Sequence, residues 1–132
     1  MVWKAVAIEE NKDNTLKTFV VLCGEEPIGE GTLIFSSITN AINGRHQLAD
    51  NTITVNINGL RVDKPYEGKG HMSKLVKVME QYARNRGYKL VTIGVEAKET
   101  RNLGIYLHWG YDKFIMHEIE DGELVLYYSK VL

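Results

Sequence analysis

The segment 52–95 constrains the fold of this chain more than any other part of it. Residues 52–62 alternate between apolar and polar side chains, as a β-strand does, and 88–95 (YKLVTIGV) form an apolar, β-rich run. Between them, apolar residues recur at helical spacing from Met72 until Gly87, where a glycine is typical of a helix end. A continuous apolar strand suits burial on both faces of a sheet. The pattern predicts a strand–helix–strand crossover at the centre of the fold.

The remaining periodicity predicts five further strands and a second helix. The strands are expected at 2–8, 18–23, 28–35, 111–119 and 123–131, and the helix at 99–109. This gives a mixed α/β (α+β) sheet of about seven strands in the order β-β-β-β-α-β-α-β-β. With 132 residues, one domain spanning 1–132 is expected. Turn-forming residues at 11–14 (NKDN) leave no helix between the first two strands.

A long polar stretch, 36–51, separates the third and fourth predicted strands. Loops of this length in compact domains are usually either functional or disordered. The stretch contains Arg45, His46 and Asp50 among serines and asparagines, so it could offer polar contacts to a ligand. It could equally be a loose connection, and the sequence leaves both open. Tight turns are expected at Asn43-Gly44 and at Asp121-Gly122, the second closing a hairpin.

Composition and charge exclude several classes of protein. Sixteen basic and 17 acidic residues give a net charge of -1, so nothing draws the chain to nucleic acid. No apolar stretch approaches the roughly 20 residues that cross a bilayer, and the first residues do not resemble a signal peptide. The one cysteine, Cys23, cannot form an internal disulfide, which favours the cytoplasm. Four widely separated histidines and no cysteine pair predict no metal site.

The loop Gly68-Lys69-Gly70 stands between a predicted strand and a predicted helix. Glycines there allow the backbone amides to converge, and the first turn of the helix adds unpaired N–H groups and the positive end of its dipole. These features favour a phosphate site, to which Lys69 would add a positive charge. The alternative is that the glycines only shape a tight turn. Neither a Walker loop nor a dinucleotide fingerprint fits, because His71-Met72 and Ser73 stand where those motifs need other residues.

Two motifs in the right order resemble the GNAT superfamily of acetyl-CoA-dependent N-acetyltransferases. Leu60-Arg61-Val62 followed by 66–70 (YEGKG) is similar to the first signature of that family, and 105–111 (IYLHWGY) is similar to the second. The resemblance covers about 56–114. It implies the fold predicted above and acetyl-CoA as the cosubstrate, with no metal.

The resemblance also implies roles for individual residues. The backbone amide of Val62 would polarise the thioester carbonyl, and Leu60 and Val62 would pair with the pantetheine arm through their main chains. Tyr106 matches the tyrosine that protonates the departing thiolate. The residues implied to bind the cosubstrate are Leu60, Arg61, Val62, Glu67, Gly68, Lys69, Gly70, His71, Met72, Ser73 and Tyr106.

The base that would accept the amine proton is left open by the sequence. Asn58 lies four residues before Val62, where some members of the family have a glutamate. An asparagine cannot accept a proton at ordinary pH, but it can orient a water molecule. The titratable candidates are Glu30, Glu96, His71 and His108.

Together these patterns predict an N-acetyltransferase that transfers acetyl directly from acetyl-CoA to a primary amine of a small molecule or peptide. The alternative is a non-catalytic module of the same fold that binds CoA or another phosphorylated ligand. A homodimer is a further expectation, because the last strand, at 123–128, offers a sheet edge and an apolar face. In most of the family, helices between the first two strands wall one side of the acceptor pocket. Here that pocket would be open, or would be completed by the 36–51 loop or by a partner subunit.

Overall fold

The computed structural model describes residues 3–9 and 15–132, which form one seven-stranded sheet with two α-helices. The elements are β1 (Trp3–Glu9), β2 (Leu16–Cys23), β3 (Glu26–Ile34), β4 (Thr54–Val62), α1 (His71–Asn85), β5 (Leu90–Glu96), α2 (Thr100–His108), β6 (Lys113–Glu120) and β7 (Glu123–Val131). Their order is the predicted one, and the mixed α/β sheet is confirmed. A short 3-10 turn, Lys64–Tyr66, precedes the glycine loop.

For most strands, at least one predicted boundary is wrong by one or two residues. The fourth strand begins at Thr54 rather than at Thr52, because the Asp50 carboxylate accepts hydrogen bonds from the backbone N–H groups of Thr52, Ile53 and Thr54. Those bonds hold the preceding residues in a turn. The turn predicted at 11–14 lies outside the described residues.

The strands lie in the order β1-β2-β3-β4-β5-β7-β6 across the sheet. Only β4 and β5 run parallel, and α1 connects them, which confirms the predicted crossover. The other neighbours are antiparallel. The last strand, β7, lies between β5 and β6, so the C-terminal hairpin brings residues near position 120 close to the centre of the sheet.

One face of the sheet packs against α1, and this contact forms the main hydrophobic core. Alternate residues of the strands and one stripe of the helix are buried there, among them Phe19, Val21, Leu33, Val55, Ile57, Leu75, Val76 and Met79. The periods of two in the strands and 3.6 in the helix place each set on a single face, which explains why the sequence pattern predicted these elements.

The 36–51 loop packs against the opposite face of the sheet. Its Ile42 and Leu48 are fully buried in a second cluster with Ile34 and Tyr127. At the predicted tight turn, Asn43 and Gly44 both have positive φ. The loop is therefore a packed covering of the sheet rather than a loose connection.

The edge strand β6 and its partner β7 expose several large apolar side chains, namely Phe114, Ile119, Leu124 and Val131. The sheet edge expected at 123–128 is wrong, because β7 lies between β5 and β6 and the edge strand is β6. The expected homodimer stays a prediction. Within the described part of the chain, neither helix is long and apolar enough to span a membrane.

Candidate active site

The two central strands, β4 and β5, diverge halfway along their length, and this opens the sheet. Pairing between β4 and β5 ends at Ile57 and Ile93. Beyond that point Gly59 has a φ of 61°, and the register between β3 and β4 shifts near the same place. A bulge of this kind bends a strand away from its neighbour. Cavities lie on both sides of the freed end of β4.

The larger cavity, of about 430 Å³, lies between the end of β4, the glycine loop, and the two helices. It is lined by Leu60, Arg61, Val62, Tyr66, Glu67, Gly68, Gly70, His71, Met72, Ser73, Glu99, Arg101, Asn102, Ile105 and Trp109. All the residues that the sequence assigned to the cosubstrate lie here except Lys69 and Tyr106.

The glycine loop presents an open, polar surface to this cavity. Gly68 and Gly70 have φ values of 75° and 83°, and a Cβ added to either would meet no atom within 4 Å. Gly70 is the N-cap residue of α1 and has no side chain that could accept a hydrogen bond from the first-turn N–H groups. The buried Nδ1 of His71 also has no hydrogen-bond partner among the described residues. Free donors at a helix N-terminus fit a phosphate group.

Lys69 does not take the place that the sequence predicted. Its ammonium lies 5.9 Å from the ring centroid of Tyr66, over the aromatic face, and its side chain does not line the cavity. Two arginines line it, namely Arg61, which the sequence predicted, and Arg101, in the first turn of α2. Sequence analysis missed Arg101, although the polar start of that helix next to the second motif was the available signal.

The smaller cavity, of about 280 Å³, lies in the gap between β4 and β5 and is partly closed by the C-terminal hairpin. It is lined by Asn56, Ile57, Asn58, Gly59, Leu60, Ile93, Gly94, Val95, Glu96, Tyr106, Glu120, Val125 and Tyr127. The structure therefore brings together Tyr106 and Asn58, the two side chains predicted to act in catalysis. Leu60 lines both cavities, so the two adjoin at β4.

Tyr106 reaches the smaller cavity from α2. Its side chain is only 6% exposed, and its ring centroid lies 5.7 Å from that of Trp109. Burial raises the pKa of the Tyr106 phenol above its ordinary value. The hydroxyl is therefore protonated throughout the neutral range and can donate a proton or a hydrogen bond.

A polar cluster on the opposite wall joins the 36–51 loop to the hairpin. Arg45 donates hydrogen bonds from Nη1 to Glu118 at 3.0 Å, to Glu120 at 3.3 Å and to the Tyr127 hydroxyl at 3.1 Å. The Tyr127 hydroxyl donates in turn to the Glu120 carboxylate. Burial, together with this bond to Glu120, raises the pKa of Tyr127 to about 12, so it is a permanent donor at neutral pH. The loop thus holds one wall of the smaller cavity in place.

The candidate bases are divided between different surroundings. Glu96 lines the smaller cavity and His71 lines the larger one. Glu30 instead accepts a hydrogen bond from Arg61 at 3.1 Å, and His108 is exposed; neither lines these two cavities. Within residues 3–9 and 15–132, no three His, Cys, Asp or Glu side chains are grouped so as to hold a metal ion.

Comparison with known proteins gives one family and many similar folds. A family model described as the acetyltransferase (GNAT) family matches residues 3–111. A comparison with curated proteins finds no match. Among solved structures, a GNAT family acetyltransferase from Elizabethkingia anophelis with acetyl-CoA bound is 16% identical, with a TM-score of 0.73 and 98% of both chains covered.

Two further structures share the fold at low sequence identity. An IAA acetyltransferase from Bacillus cereus is 18% identical, with a TM-score of 0.65, and the match covers 89% of this chain and 79% of that one. An acetyltransferase from Salmonella typhimurium that modifies the N-terminal serine of ribosomal protein L7/L12 is 14% identical, with a TM-score of 0.69 and coverages of 92% and 66%.

Proposed function

Because the chain belongs to the GNAT family of acetyltransferases, we propose that it transfers acetyl from acetyl-CoA directly to a primary amine of a small molecule or peptide. The observation that carries the proposal is the pair of cavities that meet at Leu60. One presents free donors at a helix N-terminus, as the phosphates of CoA require, and the other contains a buried, protonated tyrosine.

Acetyl-CoA supplies an acetyl group that is activated as a thioester. The glycine loop and the first turn of α1 would bind its pyrophosphate through backbone N–H groups and His71, and Arg101 would add charge from α2. Leu60 and Val62, at the end of β4 that no longer pairs with β5, would bind the pantetheine arm through the main chain.

The residues around the junction of the cavities would share the chemistry. The Val62 amide would donate a hydrogen bond to the oxygen on which negative charge develops. Tyr106, whose phenol stays protonated, would give a proton to the leaving group. Asn58 would orient a water molecule that takes up the proton of the amine, since its amide cannot do so itself.

The acceptor class is supported only by analogy. The Bacillus cereus structure is described as an IAA acetyltransferase and the Salmonella typhimurium one as a protein-modifying acetyltransferase. At 18% and 14% identity these proteins share the fold of this chain, and their acceptors serve as analogies for it. The proposal therefore includes both small molecules and peptides as acetyl acceptors.

The test is release of free CoA thiol from acetyl-CoA in the presence of a panel of small amines and peptides with free N-termini. The proposal expects release that depends on both the enzyme and the amine. Binding of acetyl-CoA by calorimetry without any amine-dependent release would favour the non-catalytic module instead. The absence of both acetyl-CoA binding and thiol release would overturn the acetyltransferase and the non-catalytic module alike.

A further inference from the structure

The smaller cavity is lined by two charged residues, and both are acidic. They are Glu96 and Glu120, which lie on different strands at its wall. Each belongs to a group with one cation for two carboxylates. Arg45 is shared by Glu118 and Glu120, and Lys98 is shared by Glu96 and Glu123. Neither group is neutralised by its own cation, so the wall carries net negative charge.

A buried hydrogen-bond acceptor without a partner lines the same cavity. Asn56 is 1% exposed, and its Oδ1 has no hydrogen-bond partner among the described residues. A buried polar atom of this kind normally pairs with a ligand or a water molecule. Because the free atom is a carbonyl oxygen, it requires a donor.

The orientation of the Asn56 amide follows from its neighbours. The Thr92 hydroxyl donates to the Leu48 carbonyl at 2.8 Å and therefore accepts from Asn56 Nδ2, which lies 2.9 Å away. A flipped amide would place two acceptors against each other. Leu48 belongs to the 36–51 loop, so this loop fixes which end of the Asn56 amide is left without a partner among the described residues.

Glu120 is held in place in a way that leaves half of its carboxylate available. Arg45 and Tyr127 both donate to Oε2. Within the described ranges, Oε1 has no hydrogen bond of its own. A carboxylate fixed by two donors on one oxygen can accept a charged donor on the other without reorganisation.

We propose that the acceptor amine carries a second, protonated amino group, which this cavity binds through the Glu120 carboxylate and Asn56 Oδ1. The inference rests on the proposed function and names the substrate class: a small aliphatic diamine or an equivalent dication. The reacting amino group lies toward Tyr106 and Asn58, where it must be neutral to attack. A protonated group is the ligand that satisfies an acceptor-rich, negatively charged wall.

Three acceptors of matched length test the charge requirement: 1,4-diaminobutane, n-butylamine and 4-aminobutanoate. Thiol release from acetyl-CoA should give the highest kcat/KM for the diamine. A hydrogen bond to a charged group corresponds to a factor of about 10 to 100 over butylamine, and the carboxylate should be poorest. Equal kcat/KM for the diamine and butylamine would overturn the inference while leaving the acetyltransferase proposal intact.

Two glutamates that contact the same arginine form a matched pair of variants. Glu120→Gln removes the charge from the cavity wall but keeps an oxygen for Tyr127. Glu118→Gln removes the same charge from a residue that contacts Arg45 and does not line the cavity. The diamine preference should fall about 10-fold or more in Glu120→Gln and stay within about 2-fold in Glu118→Gln. An equal loss in both would assign the effect to general charge and contradict the site.

Calorimetric binding of the same diamine and monoamine separates failure of this inference from failure of the proposed function. If no amine is acetylated, the function fails, and tighter binding of 1,4-diaminobutane than of n-butylamine by the wild-type protein still supports the cation site. Equal or absent binding of both amines would overturn the site as well. The wild-type comparison needs no variant, so it holds even if Glu120→Gln fails to fold.

Discussion

Tyr106 lines the smaller cavity, and burial raises its pKa, so its phenol carries a proton at neutral pH. Replacing it with phenylalanine keeps the packing against Trp109 and removes only the hydroxyl. We expect Tyr106→Phe to lower kcat about 100-fold, with little change in the affinity for acetyl-CoA, because a positioned general acid contributes a factor of this order. Steady-state rates and calorimetric binding measure the two effects.

Tyr82→Phe is the control for this substitution. Tyr82 is half-buried on α1, accepts a hydrogen bond from Arg86, and lines neither cavity. Loss of the Tyr82 hydroxyl should leave kcat within about 2-fold of the wild-type value. If Tyr106→Phe also turns over normally, the proton must come from another group.

Residue by residue, the sequence predicted the larger cavity far better than the smaller one. The residues around Gly68 and Gly70 adjoin one another along the chain, and a short motif fixes such a site locally. Asn56, Glu120 and Tyr127 meet only because β7 lies between β5 and β6 and because β4 and β5 diverge. Contacts of that kind depend on non-local pairing, which periodicity does not encode.

At the scale of elements, the turn into β4 depends on one carboxylate. Oδ1 of Asp50 accepts three backbone N–H bonds, each of 2.9 Å. Burial acts to raise the pKa of Asp50, but these bonds outweigh it and leave the pKa lowered. A carboxyl group whose pKa is lower in the folded state than in the unfolded state stabilises the protein at pH values above the unfolded-state pKa. This stability is lost as pH falls through the folded-state pKa.

Asp50→Asn keeps an acceptor oxygen and removes the charge. It should cost about 1 kcal/mol of unfolding free energy at pH 7, and this difference should shrink as pH falls below about 4, the ordinary pKa of an aspartate, toward the lower pKa of the folded state. Urea denaturation at pH 7 and pH 3 measures both values. Asp112→Asn, at an exposed position, is the control and should have little effect. A penalty that is equal at both pH values would show that charge is not its cause.

The pairing of β5 with β7 depends on the absence of a side chain at Gly94. A Cβ at this position would lie 2.6 Å from Cε1 of Tyr127, so the ring covers the glycine directly. Gly94→Ala must displace the ring that bonds Glu120 and lines the smaller cavity. We expect a loss of about 1–3 kcal/mol in stability, measured by denaturant unfolding.

Gly104→Ala on α2 provides a control of opposite sign. No atom lies within 4 Å of a Cβ at Gly104, and alanine in a helix is more favourable than glycine by about 0.5–1 kcal/mol. Stabilisation by Gly104→Ala with destabilisation by Gly94→Ala would separate steric conflict from the general effect of adding a methyl group. A neutral Gly94→Ala would mean that the Tyr127 ring moves without cost.

Element order was predictable because each element carries its own period, whereas the place of the long loop was not. Apolar Ile42 and Leu48 are isolated in a polar stretch and give no periodic signal. Their burial is favourable because the sheet beneath them presents the apolar surfaces of Ile34 and Tyr127 on that face. Tertiary packing, which the sequence pattern does not encode, thus orders the 36–51 loop.

At the scale of the whole molecule, a ligand in the larger cavity would connect several elements of the fold. The larger cavity is built from β4, the glycine loop and both helices, so a ligand bound there would contact β4 and α1 of the central crossover together with α2. Any ligand that binds only the folded state raises the free energy of unfolding by mass action.

Acetyl-CoA should therefore raise the melting temperature. At 100 times its dissociation constant the gain is about 2.7 kcal/mol, which for a chain of this size corresponds to roughly 10 °C. S-acetylpantetheine is the control, because it keeps the thioester and the pantetheine arm but lacks the phosphates. If the glycine loop binds the pyrophosphate, acetylpantetheine at the same concentration should shift the melting temperature far less. Equal shifts would place the affinity in the pantetheine arm at β4, and no shift with acetyl-CoA at millimolar concentration would contradict the cosubstrate itself.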